Sequence, residues 1–169
     1  ISPDGRMEEA LFANNLAKPT AVLDARPVPS SNLIAAALTP HNGQAVGAIV
    51  TIDPRKGKNN LGAIVNFTPE YPTEMDQGLK LGPCDPWPLS ADVMLISNNA
   101  QGHAKIQIIH RDGRRETVFS DPDVSCYAPM LVKPRPKPTA VTRAAGGVEP
   151  GRFLVSDIYR GLDSIERGS

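Results

Sequence analysis

The feature that most constrains this chain is that it repeats itself. Asp24-Ala-Arg-Pro27, leading into the apolar run around Leu33-Ile34, recurs as Asp85-Pro-Trp-Pro88 leading into Val93-Met-Leu95, the acid and the proline each 61 residues further on. A run ending Val50-Thr-Ile-Asp53-Pro is matched by Ile108-Ile-His-Arg-Asp112-Gly, and Asn66-Phe-Thr-Pro69 by Phe119-Ser-Asp-Pro122. Asp4-Gly-Arg6, with Leu11-Phe12 behind it, echoes Asp112-Gly-Arg114 with Val118-Phe119 behind it. Self-similarity at a period of about 50 to 60 residues is the signature of stacked structural units, none of which buries its apolar face alone.

The content of each unit is β. Asn32–Leu38, Val46–Ile52, Asp92–Ser97, Ala104–Ile109, Glu116–Phe119 and Arg152–Ser156 are short apolar runs of strand length. Lys105-Ile-Gln-Ile alternates polar and apolar, as a half-buried strand does. The 17 prolines and 14 glycines interrupt helices and central strands and supply turns, so elements are short and turns frequent. Each unit is therefore expected to run acidic-Pro loop, strand, polar loop, strand, Asp-Gly or Asp-Pro turn, strand. Helix is weakly signalled throughout; Met7–Asn15 could form one or two helical turns, but the parallel with Arg114–Phe119 favours a further strand. Blades of a β-propeller have this make-up, and a β-sandwich of similar hairpins is the alternative. Closure takes about four to eight blades. Two full repeats plus partial ones make an incomplete propeller, expected to be part of a longer chain or to pack on another polypeptide. The first residues, Ile1-Ser-Pro-Asp-Gly, read as mid-sequence.

Three segments are expected: blades over residues 1–132, a Pro/Gly-rich linker over 133–150 that opens Lys133-Pro-Arg-Pro-Lys-Pro138, and the start of a second β unit over 151–169. Eighteen basic residues balance eighteen acidic ones, and no basic stripe forms, which argues against a nucleic-acid partner. No apolar run approaches the roughly 20 residues of a membrane span. Open strand edges invite pairing with another copy, so self-association is expected.

Candidate chemistry is sparse. His41, in Pro40-His-Asn-Gly43, and His103, in Gln101-Gly-His103, lie 62 residues apart on corresponding loops, where they either face one ligand or decorate hairpin tips. Cys84, in Gly82-Pro-Cys-Asp85, adds a thiol. His41, Cys84 and His103, with Asp85, have donor chemistry suited to zinc, although the spacing matches no compact zinc motif. Cys84 and Cys126 either pair or stay free, with Cys126 expected as a packed thiol. The chain has no nucleophile elbow, phosphate loop or dinucleotide glycine pattern, and no Cys-x-x-Cys-His for covalent haem. No residue is assigned a catalytic role. Trp87 is the single tryptophan, and aromatics make up only 5% of the chain, which weighs against the alternative of a sugar-binding or enzymatic propeller with a site on its loops.

Several tracts together resemble the non-haem propeller region of the hydrazine synthase alpha subunit family. They are Ala25-Arg-Pro-Val-Pro, Pro40-His-Asn-Gly-Gln-Ala-Val-Gly, Ile52-Asp-Pro-Arg-Lys-Gly57, Asp85-Pro-Trp-Pro-Leu-Ser90, His110-Arg-Asp-Gly-Arg114, Pro129-Met-Leu-Val-Lys-Pro-Arg-Pro136 and Val155-Ser-Asp-Ile-Tyr-Arg-Gly-Leu162. The resemblance implies an exported, extracytoplasmic, multi-domain parent, with the propeller packed on a cytochrome-c-like domain. Haem c would then sit only in parts of that parent outside this segment, and the parent would be a multihaem oxidoreductase. It also singles out His41 and Cys84 as neighbours of a metal or haem pocket.

Overall fold

The computed structural model describes residues 9–74 and 78–134. The chain divides into two units, Ile1–Arg135 and Pro136–Ser169, and everything below belongs to the first. The expected unit at 151–169, and the linker beyond Pro134, lie outside the described residues.

The architecture is all-β. Strands β1 (Ala21–Pro27), β2 (Ile34–Thr39), β3 (Ala48–Ile52) and β4 (Ile64–Asn66) form one four-stranded sheet. Strands β5 (Pro83–Pro88), β6 (Val93–Asn98), β7 (Lys105–His110) and β8 (Arg115–Phe119) form a second, and every pair in both is antiparallel and sequential. Short hairpins between sequential strands let each unit fold from local pairings. The only helical turns among the described residues are 3-10 turns at Pro54–Lys56 and Leu61–Ala63, which shape the β3–β4 connection.

Five of the six expected strands are present, and the sixth falls outside the described residues. Two expectations are corrected. The acidic-Pro tracts are strands, not loops: Asp24 lies in β1 and Asp85 in β5. Proline cannot donate to a ladder, so it is confined to edge strands and bulges. Both conditions hold here. β1 and β5 are edge strands, and each carries a bulge, between Leu23 and Arg26 and between Cys84 and Trp87. The second correction is Met7–Asn15. Its described part, from Glu9, contains no strand. The Ala13 amide donates to the Lys58 carbonyl and the Asn15 amide to Asn59 Oδ1, so these donors serve a loop contact instead of a ladder.

The bulges fix which residues of the two sheets correspond. Leu23 pairs with Ala37 as Cys84 pairs with Ser97, and Arg26 pairs with Ala35 as Trp87 pairs with Leu95. The turns correspond as well. Asp53 accepts from the Arg55 amide and side chain, and Asp112 accepts from the Arg114 amide and side chain in the same way.

The two sheets pack face to face. Ala35, Ala37 and Ile49 of the first, with Val28 and Phe67 beside them, meet Met94, Ile96 and Ile109 of the second, all at most 2% exposed. Small residues on one surface leave room for long ones on the other, as close packing requires. The stacking is head to tail. Ala35 and Ala37 face the second sheet, whereas their counterparts Leu95 and Ser97 share the opposite face of β6 from Met94 and Ile96. A two-fold face-to-face pair would instead bring corresponding residues together. The other side of the first sheet buries Ala36, Leu38, Ala48, Val50 and Ile52, against which Phe12 and Val22 pack.

Two substitutions test this packing. Phe67→Ala, at a fully buried side chain, should cost about 3–5 kcal/mol in a chemical denaturation midpoint series. Gly47→Ala would put a Cβ 2.1 Å from the Leu38 carbonyl oxygen, so it should lower the melting temperature although it adds only a methyl group.

Candidate functional site

The head-to-tail stacking brings the edge strands β1 and β5 alongside one another, and the chemistry of the molecule gathers there. Asp24 and Asp85 occupy corresponding positions in the two bulges, with φ of +52° and +51°. This left-handed backbone disfavours most side chains, but aspartate tolerates it. The following segment repeats the conformation, with Ala128 at φ +54°. That segment is tied to the second sheet by four bonds. The Cys126 amide donates to the Ala104 carbonyl, and the Ala104 amide donates to Ser125 Oγ. The Ala128 amide donates to both Asp85 Oδ2 and Ser97 Oγ, at 3.0 Å each.

Electrostatics at this rim are set by like charge and partial burial. Asp24 is held above the ordinary aspartate range, first by desolvation and then by the neighbouring Asp85 carboxylate, with Arg26 opposing. Cys84 is 5% exposed, and its Sγ donates to Asp85 Oδ2 at 3.4 Å. Burial, then the charge and hydrogen bond of Asp85, push its thiol up to about 12. A thiol in that state is a poor nucleophile at neutral pH. Beside it, Asn99 Nδ2 donates to the Tyr127 hydroxyl at 3.2 Å, and Gln44, Asp85, Tyr127 and Ala128 line a recess of about 310 Å³.

The proposed metal donors stand in three different settings. His41 is exposed on the β2–β3 connection, and His103 is exposed on the β6–β7 connection, its Nδ1 3.4 Å from Ser125 Oγ. Cys84 is buried at the rim. Among the described residues no three His, Cys, Asp or Glu side chains stand together as a metal-binding group. Both cysteines are free; Cys126, expected as a packed thiol, is only half-buried, with its Sγ directed at the Val124 carbonyl.

At one end of β1 and β5 lies a groove of about 220 Å³, lined by Arg26, Pro27, Pro29, Trp87, Pro88 and Lys133. The Arg26 guanidinium sits 4.8 Å over the Trp87 ring centroid, a cation–π pair between corresponding positions of the two sheets. The repeat offset that aligns Asp24 with Asp85 also aligns Arg26 with Trp87, a correspondence the sequence carries although not the contact itself.

The chain matches no family model, no curated protein and no solved structure. No helix among the described residues is long and apolar enough to cross a membrane.

Two outcomes follow for the rim. At pH 8, a thiol reagent should label Cys126 rapidly and Cys84 only on unfolding, giving one fast equivalent of two by mass spectrometry. The raised Asp24 pKa favours its neutral form in the folded state. Its contribution is therefore fully present below the ordinary aspartate pKa and is lost as pH rises through the folded-state value. Asp24→Asn should accordingly raise the melting temperature at pH 7, and the gain should vanish in acid.

Proposed function

We propose that the two sheets are consecutive blades of a β-propeller, and that the chain acts as a structural and docking module of a larger exported protein. The observation that carries this reading is the head-to-tail stacking. Corresponding strands present opposite faces at the interface, so the same operation can add a further sheet on the side of Leu95 and Ile108. The segment Ser125–Ala128 supports it too. It binds Ala104 and Asp85 and repeats the left-handed residue of β1 and β5, as the inner strand of a next blade would.

The far face of the second sheet supports the docking role. Leu95, Ile106 and Ile108 are only half-buried there, and Phe119, paired with Ile106, is 57% exposed on the edge strand β8, beside Val118 at 54%. An apolar face bordered by an unpaired strand edge is a surface that natural proteins cover. Its natural cover in this reading is the next blade of the parent protein. The resemblance to the hydrazine synthase alpha subunit family adds a cytochrome-c-like domain packed on the propeller as a whole, with haem chemistry carried outside this segment. Catalysis is assigned to no residue here.

The isolated chain should then associate through the same face. Sedimentation velocity from about 10 µM to about 1 mM should show a concentration-dependent shift to larger species. Phe119→Lys should weaken that association by about tenfold or more, with the far-UV spectrum unchanged. A strictly monomeric particle across that range would sink the docking reading.

A further inference from the structure

We infer that the groove between Arg26, Trp87 and Lys133 is a binding site for a small organic carboxylate carried on a flat apolar body. The docking role assigned above does not require such a site, and the inference does not rest on it.

Three observations converge on it. First, the groove gathers two cations from different parts of the chain. Arg26 comes from β1, and Lys133 comes from the segment after the second sheet. Neither has a hydrogen-bond or ion-pair partner among the described residues. The Arg26 Nε is moreover shielded from solvent with no acceptor. A buried donor left without an acceptor is unfavourable, and a ligand acceptor would relieve it. Other arginines among the described residues are matched with acids: Arg55 with Asp53, Arg111 with Asp92, Arg114 with Asp112 and Arg115 with Glu70. Arg26 is the exception, although Asp24 is close enough for its carboxyl to feel the guanidinium charge.

Second, the orientation of the guanidinium suits an incoming acid. The guanidinium lies over the Trp87 ring, 4.8 Å from its centroid, and its N–H donors radiate in its own plane. A carboxylate that reaches the terminal N–H groups of Arg26 meets paired donors, the geometry guanidinium recognises best. Trp87 and Arg26 hold each other in place, so little side-chain freedom is lost on binding.

Third, the remaining walls are apolar and stiff. Pro27, Pro29 and Pro88 present rigid rings beside the indole. A surface of prolines and one aromatic selects a flat, apolar ligand body, while the two cations select its acidic end. The volume of about 220 Å³ limits the ligand to something near the size of a substituted single ring.

Trp87 is the only tryptophan in the chain, so its emission reports directly on the groove. The experiment titrates the full chain with sodium benzoate and, separately, with benzamide, the neutral analogue of the same shape. Benzoate should change the Trp87 emission saturably, and benzamide should bind about tenfold or more weakly. Arg26→Gln should weaken benzoate binding by about tenfold or more, and Lys133→Gln by about threefold. Equal binding of the two probes would overturn the site, as would no saturable response to benzoate up to about 20 mM. A folded Arg26→Gln protein that binds benzoate like the parent would overturn it too. Should Arg26→Gln fail to fold, the comparison of the two probes on the unmodified chain decides the matter.

Discussion

The contact that organises this molecule is the face of Ala35, Ala37 and Ile49 against Met94, Ile96 and Ile109. Neither sheet is self-sufficient, because a four-stranded antiparallel sheet has two faces and only its hydrogen bonds are satisfied internally. The apolar surfaces must find a cover, and here each sheet covers the other in one sense only. Once that stacking is made, the edge strands β1 and β5 are forced side by side. Asp24 comes to feel Asp85, and Arg26 lies over Trp87. The chemistry of the rim is a by-product of how the apolar faces are arranged.

Much of this was legible in the sequence, because repetition and alternation are local signals. Lys105-Ile-Gln-Ile announces a strand through its period of two, and Asp112-Gly113 announces the turn that follows. β1 and β5 were not legible as strands, because proline and aspartate depress strand propensity and the bulge disrupts alternation. β4 spans only Ile64–Asn66 and is set up by the 3-10 turn before it, too short for any periodicity to register. The segment from Glu9 failed for the opposite reason. Its resemblance to Arg114–Phe119 was real as sequence, but its backbone donors are claimed by Lys58 and Asn59.

The site shows the same division. The matching offsets of His41 and His103 reported matching places in the fold, the exposed connections of two hairpins, and a shared place in a repeat is no assurance of a shared ligand. The proximity of Asp24 to Asp85 and of Arg26 to Trp87 depends on two residues 61 positions apart being laid together by tertiary stacking. Read alone, each is a turn acid, a surface cation or a packing aromatic. The repeat aligns them, but only the packed faces bring them into contact.

Repetition at the rim also carries its own limit. Each unit that keeps an acid in the left-handed position of its edge strand adds a negative charge beside the last, as the raised Asp24 already registers against Asp85. A longer column of such acids would meet mounting self-repulsion. The third segment places Ala128 at that backbone position, and its amide spends itself on the second acid's oxygen. Among the described residues two acids hold this position, and the neutral Ala128 that follows turns the second charge into an anchor for the chain beyond it.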